Sequence, residues 1–360
     1  MPHIVLAGYL GCGNLGDDAV MMGFVHGLGS GFEYTVLAGD PSETMRVHNL
    51  RAVPRRGRSV DEAIESADAV VFPGGSVFQD STSVRSVVYY NNIVRRAKSM
   101  GKKVLLVGQG VGPVTTFLGK RLTAAAFTAA DLVVARDPAA AQTLKGIGVK
   151  RHIYAGADSA FLLPLPRQED DAGQYGVGGM RSVAIAPRPV HKKGFDEAAL
   201  FGEFCRMVYS AGAVPTLVEM DPAEDGPLIE AISKVQGGRI PSLRKLGTPA
   251  IVQQRLARMD GLVAMRLHAG ILGATVGVPP LMVSYDPKVA AFARGLDGAS
   301  GVPMEGLTPA RLFSAYEQYA AQLPRLRASV AKKREEMVRA AGTNVDLARE
   351  ILLGKNPVSL

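Results

Sequence analysis

Two α/β domains, each built on a mainly parallel sheet with helices on both faces, are what this sequence predicts. Three observations carry that reading. Short apolar runs alternate with helical patterns along most of the chain, as expected for parallel strands buried on both faces. The alternation breaks once, in the Pro-, Gly- and charge-rich stretch between Leu162 and Arg181, and then restarts. Finally, 360 residues with 47% hydrophobic content exceed one ordinary core and supply apolar material for two.

The first domain is expected over 1–165. His3–Leu10 reads as its opening strand, because it lacks the basic flank and cleavage site of a signal peptide. Further strand-like runs are Tyr34–Ala38, Ala69–Pro73, Val104–Gly108, Leu132–Ala135 and His152–Ala155. Helical patterns at Asp18–Leu28, Val60–Ser66, Val84–Ser99, Leu118–Ala129 and Ala139–Lys145 separate most of them. The linker is expected to hinge near Leu163–Met180. The second domain, expected over 181–322, reads as strands Ser182–Ala186, Val214–Glu219, Gly261–Met265 and Leu281–Tyr285. Its helices are expected at Asp196–Ser210, Gly226–Val235, Pro249–Arg258 and Ala269–Val276. The tail, Ala310–Leu353, is helical, with Leu323, Leu326, Val330, Met337 and Ala341 at helix-face spacing. Helices over 323–353 are expected to return to the first domain. The basic run Lys332–Arg334 beside that face reads as solvated, with a membrane surface as the alternative. Two Rossmann-like halves of this kind hold ligands in the cleft between them.

Composition removes several classes. No apolar run reaches the roughly 18 residues that span a bilayer. Two cysteines, Cys12 and Cys205, make no disulfide framework, and neither has metal-ligand spacing around it. A reducing cytoplasm is the expected compartment. The formal net charge of +8 favours anionic partners such as phosphorylated metabolites, lipid diphosphates or membrane surfaces. Nucleic acid is not expected, since tryptophan is absent, aromatics are 6%, and the clusters Arg51–Arg58 and Lys332–Arg334 carry no interleaved aromatics.

Chemistry-bearing residues concentrate where strands end. Gly11-Cys12-Gly13-Asn14-Leu15-Gly16-Asp17 follows the first strand and opens the first helix, where backbone N–H groups suit an anion. It is close to a dinucleotide fingerprint, but Asp40 is followed directly by Pro41 and the Asp17 carboxylate would repel a pyrophosphate. Asp17 could equally cap the helix. Gly74-Gly75-Ser76 through Asp80 leaves the third main strand, and Gly108–Pro113 repeats the glycine-rich exit on the next. Arg136 and Arg188 end further strands, where an arginine can clamp a carboxylate or phosphate bidentately. Arg266, His268 and Lys288 fall at two more strand ends, so four strand ends offer four fixed cations and one titratable group. The bland reading makes His268 a polar residue at a helix start and Lys288 a solvated lysine. His3, His26, His48, His152 and His191 have no companions at ligand spacing and read as structural or surface residues.

Taken together, Gly11–Asp18, Gly74–Asp80, Gly108–Pro113, Val134–Asp137, Arg266-Leu267-His268 and Ser284–Lys288 resemble the polysaccharide pyruvyl transferase family over roughly Ile4–Phe292. The resemblance is to enzymes that place pyruvate ketals on N-acetylmannosamine of cell-wall polymers and so anchor S-layers. Ser76 stands where relatives often carry a third glycine. The resemblance implies a GT-B-like fold, phosphoenolpyruvate as donor and no cofactor or metal. It also implies a glycan acceptor, lipid-diphosphate-linked, and a cytoplasmic protein with peripheral contact at the inner membrane face. Arg136, Arg188, Arg266 and Lys288 would hold the donor. His268 would be the general acid, since a histidine with a reference pKa of about 6.5 moves protons near neutral pH. Gly13, Asn14, Asp17, Gly74, Gly75 and Asp80 would face the acceptor. The alternatives are a nucleotide-sugar glycosyltransferase, with Glu219 or Asp221 on a ribose, and a non-catalytic glycan-binding protein.

Overall fold

Strand residues of the first sheet divide between two cores by simple alternation. Ile4 and Leu6 belong to one buried cluster and Val5 to another, as do Val71 against Val70 and Leu105 against Leu106. Period-two side chains on a sheet covered on both faces require this. In the computed structural model that shows it, all residues are described except 82, 167–180, 191–194, 236, 239, 297–300 and 356–360. The expected hinge therefore lies mostly outside the described residues, as does His191.

Contacts divide the chain into two units, Met1–Pro164 with Glu336–Leu360, and Leu165–Glu335. The first contains β1 (His3–Leu6), α1 (Leu15–Leu28), β2 (Glu33–Ala38), α2 (Pro41–His48), β3 (Arg51–Pro54) and α3 (Arg58–Ser66). It continues with β4 (Ala69–Phe72), β5 (Gly75–Phe78), α4 (Val84–Ser99), β6 (Lys103–Val111), α5 (Phe117–Ala129), β7 (Leu132–Ala135), α6 (Pro138–Gly146) and β8 (Tyr154–Ala155). The strand order is β3-β2-β1-β4-β6-β7-β8, with β5 beside β6. Every pair is parallel, so all carboxyl ends lie along one edge.

Two departures from expectation matter at that edge. The first strand stops at Leu6 rather than Leu10, and Tyr9 is exposed in the loop that follows. The run Arg51–Arg58 is not merely a charge cluster: it contains β3 and the start of α3. Asp40 and Pro41 also form no failed dinucleotide site. Asp40 caps α2 by accepting from Glu43 N–H at 2.9 Å, and Pro41 fills the first helical turn.

The second unit contains β9 (Arg181–Ala186), α7 (Glu197–Ser210), β10 (Ala213–Val218), α8 (Pro222–Val235), β11 (Ser242–Leu243), α9 (Pro249–Leu256) and β12 (Gly261–Ala264). Then come α10 (Leu267–Thr275), β13 (Pro280–Ser284), α11 (Pro287–Leu296), β14 (Gly301–Pro303) and α12 (Pro309–Ala321). Its sheet, β11-β10-β9-β12-β13-β14, is also parallel throughout. The tail, expected to be helical, consists of α12 and α13 (Leu323–Leu352). Leu323 and Leu326 of α13 belong to the second unit's core, whereas Val345, Ala348 and Ile351 belong to the first unit's. Among the described residues no helix is long and apolar enough to cross a membrane.

Candidate functional site

In an open parallel sheet the ligand crevice opens where the strand order reverses, outside the carboxyl ends. In the first unit that point lies between β1 and β4. The Gly11–Asp17 loop leaves β1 there and the Gly74–Gly75 turn leaves β4, so the topology brings the two glycine-rich motifs together. Asn14, not Asp17, caps α1: its side chain accepts from Gly16 N–H at 2.9 Å. The Asp17 carboxylate instead lies beside Gly75, with Oδ1 3.3 Å from where a Cβ would stand. Gly75 has φ +85°, and Gly13 has φ +87° with open space where a side chain would go. Both positions suit close approach of backbone to a ligand.

Arg136, just past β7, is buried among polar partners. It contacts Asp158 at 3.2 Å, Asp137 at 3.4 Å and Ser76 Oγ at 3.4 Å. A side chain at Gly110 would collide with the Arg136 guanidinium and with Ser76 Oγ. That clash accounts for the second glycine of the Gly108–Pro113 exit.

Asp80 departs from its expected role toward an acceptor. Its two oxygens accept from the backbone N–H groups of Thr115 and Thr116, both at 2.8 Å, and from both threonine hydroxyls. Although burial opposes ionisation, those four bonds outweigh it and hold the carboxyl down at about 2. The carboxylate is a clasp on the loop before α5.

One cluster on this edge escaped sequence reading. Arg55, directly after β3, donates to Cys12 Sγ and to Tyr90 Oη, each at 3.0 Å. Its guanidinium lies 5.1 Å from the ring centres of both Tyr9 and Tyr89. Burial pushes the Tyr90 phenol above its ordinary range, so it remains O–H and accepts. The cluster ties the Gly11–Asp17 loop to α4. The adjacent tyrosines in α4 were the available signal, but a four-residue strand inside a basic run concealed the arginine's position.

In the second unit the order reverses between β9 and β12. Arg188 follows β9, Arg266 and His268 follow β12, and Lys288 follows β13, so three neighbouring strands deliver all four residues to one edge. Arg188 donates to Tyr285 Oη at 2.6 Å and lies 5.2 Å from that ring's centre. Burial raises the Tyr285 phenol while Arg188 opposes the rise. Lys288 sits in the first turn of α11, with Nζ 3.7 Å from Asp286 and 22% of its side chain exposed. His268, half-buried, is in the first turn of α10.

Arg266 behaves differently. It occupies the N-cap position of α10, and its Nε donates to Asp225 Oδ1 at 3.0 Å, with Nη2 bonded to the same oxygen. The other Asp225 oxygen accepts from Met220 and Asp221 N–H, both at 3.0 Å. Its charge is therefore balanced within the unit, and Asp225, which sequence reading missed, is the reason. Glu219 is likewise engaged, accepting from Arg244 Nε and Lys245 N–H, each at 2.9 Å.

A family model described as polysaccharide pyruvyl transferase matches residues 14–287, a span that includes Asn14–Asp17, the glycine-rich turns at Gly74–Gly75 and Gly108–Pro113, Arg136 and the Arg266–Asp286 stretch. The chain belongs to that family. No curated protein sequence matches it. Among solved structures it is similar to S. aureus MnaA solved with UDP (TM-score 0.67, 13% identity, 100% of each chain covered). It is also similar to a Listeria monocytogenes protein described as a putative UDP-N-acetylglucosamine 2-epimerase (TM-score 0.64, 13% identity, 100% and 99% covered). Anabaena HepE in complex with UDP-glucose is a third (TM-score 0.63, 11% identity, 98% and 100% covered). These likenesses bear out the expected fold, mixed α/β with parallel sheets and GT-B-like.

Proposed function

We propose that this polysaccharide pyruvyl transferase takes phosphoenolpyruvate as donor and closes a pyruvate ketal on a cell-surface glycan. The acceptor in this reading is N-acetylmannosamine of a lipid-diphosphate-linked cell-wall precursor that serves S-layer anchoring, handled on the cytoplasmic side. The observation that carries it is the convergence of Arg188, His268 and Lys288 on neighbouring strand ends at a topological reversal. Arg188 and Lys288 supply the positive charge that a carboxylate and a phosphate require, Arg136 is assigned to the donor as the first unit's cation, and fixed cations rather than a metal balance the donor. Arg266, neutralised by Asp225, is assigned to shaping the α10 start rather than to the donor.

His268 gives a proton to the donor's methylene carbon, and C2 becomes electrophilic. One sugar hydroxyl attacks C2, the C–O bond to phosphate breaks, and a second hydroxyl closes the ketal. One hydroxyl proton restores the histidine and the other leaves with the phosphate. Gly13, Asn14, Asp17, Gly74 and Gly75 form the acceptor side, where backbone can approach a sugar closely.

The test is incubation with phosphoenolpyruvate and a panel of lipid-diphosphate disaccharides, followed by mass spectrometry and phosphate assay. The expected product is an acceptor heavier by one pyruvic acid less one water, with one phosphate released per ketal. Unchanged acceptors across the panel, with no phosphate released, would remove the proposal.

A further inference from the structure

The Asp80 clasp organises a feature that the transfer chemistry does not use. Immediately beyond Thr115 and Thr116, α5 opens with Phe117 and Leu118, which are 79% and 47% exposed. Exposed single apolar residues are common, but a phenylalanine this bare beside an exposed leucine calls for a partner. It is also not on a loose loop. Thr116 caps α5 by accepting from Gly119 N–H at 3.0 Å, and the two threonines are held by the four hydrogen bonds they donate to Asp80. A side chain at Gly119 would run into Asp80 and Thr116, so that glycine belongs to the clasp. The protein fixes these two side chains in solvent.

Charge around the pair runs against helix preference. The positive end of a helix dipole favours acidic residues; α1, α2, α3, α7 and α8 carry at least one in the first turn, whereas α4 and α5, like α6 and α9 to α13, carry none. Neither α4 nor α5 contains Asp or Glu anywhere along its length. Instead Lys120 and Arg121 follow the apolar pair, and Arg85 lies in the first turn of α4, all three exposed. The two helices start on the same edge of the sheet, and Asp80, just before α4, binds the residues just before α5. The result is an exposed apolar pair with three exposed cations at the same two helix starts.

We propose that the starts of α4 and α5 form a docking surface for an anionic phospholipid bilayer. Phe117 and Leu118 enter the boundary between headgroups and acyl chains, while Arg85, Lys120 and Arg121 meet lipid phosphates. Complementarity of charge selects a lipid surface over a neutral apolar partner. The inference goes beyond the transfer reaction and stands without it, because docking needs neither donor nor acceptor.

The experiment is flotation of the full-length protein with vesicles of phosphatidylcholine, with and without phosphatidylglycerol, in the absence of substrates. Binding is expected to the anionic vesicles only, and to fall as salt rises. Phe117→Ser with Leu118→Ser should lower the partition coefficient about tenfold or more, from the apolar area no longer buried. Lys120→Glu with Arg121→Glu should lower it at least about tenfold, since each basic residue near such a surface contributes roughly fivefold. Tyr209→Ser, which removes an aromatic ring 63% exposed in the second unit, should change nothing. Absence of wild-type binding, or equal binding by both double variants, would overturn the proposal. So would a dimer in solution that Phe117→Ser with Leu118→Ser dissociates, which would assign the face to a second copy of the chain.

Discussion

Arg136 and Arg266 have the same local design: each follows the end of a buried parallel strand and precedes a helix start. Each side chain is about as buried as the other, with 8% exposed. Their counter-charges differ. Asp225 grips Arg266 through two guanidinium nitrogens, and its second oxygen is held by backbone N–H groups. Arg136 is shared among Asp158, Asp137 and Ser76 at 3.2–3.4 Å, none of them in a tight forked pair. A long, divided set of contacts can be traded for an incoming anion at small cost, whereas a tight buried pair cannot. Strand-end position alone does not make an arginine a ligand cation; the partner from elsewhere in the fold decides.

The largest expected effect breaks the tight pair. Asp225→Ala leaves a buried guanidinium without its carboxylate and should cost about 3–5 kcal/mol in denaturant unfolding. Asp158→Ala should cost less, because Asp137 and Ser76 remain on Arg136. Equal losses would erase the distinction drawn between the two arginines.

Next comes the chemistry of the second unit's edge. His268→Gln keeps a hydrogen-bond donor but cannot shuttle a proton at neutral pH. Turnover should fall roughly 10²–10⁴-fold with the donor's KM little changed. A variant as fast as wild type would move the general acid elsewhere.

Smaller effects concern affinity. Lys288→Ala and Arg136→Ala should each raise the donor's KM by one to two decades, matching the roughly 1.5–3 kcal/mol of a lost charge-assisted contact. Unchanged donor kinetics in both, with thermal midpoints near wild type, would exclude them from donor binding.

The smallest effect is on acid stability. The Asp80 carboxyl is held at about 2, below its unfolded value of about 3.9. Its contribution is therefore complete above roughly pH 4 and is lost as pH falls toward the folded value. Asp80→Asn should be less stable than wild type at neutral pH, and the gap should close on acidification through that window. A gap independent of pH would mean the clasp works through neutral hydrogen bonds alone.

What could be read from the sequence follows the same division between local and distant information. Val84–Ser99 and Leu132–Ala135 were legible to the residue, because sixteen helical or four β-rich positions carry their own pattern. β3 and β11 were not, since short edge strands bury little and Arg51–Pro54 holds only two inward apolar residues. The strand-end positions of Arg136, Arg188, Arg266, His268 and Lys288 were legible from αβ alternation. Their partners were not: Arg188 meets Tyr285 97 positions away and Arg266 meets Asp225 41 away. No local spacing encodes such meetings, so the difference between a committed arginine and an exchangeable one appears only with the fold.

The central claim is that the cations of these strand ends serve phosphoenolpyruvate. Calorimetric titration of the wild-type protein with phosphoenolpyruvate and, separately, with UDP-N-acetylglucosamine tests it most directly. Saturable binding of phosphoenolpyruvate, weakened at least tenfold in Lys288→Ala, is the predicted result. Binding of the nucleotide sugar with no heat from phosphoenolpyruvate would contradict the account and point to a glycosyltransferase of the same fold.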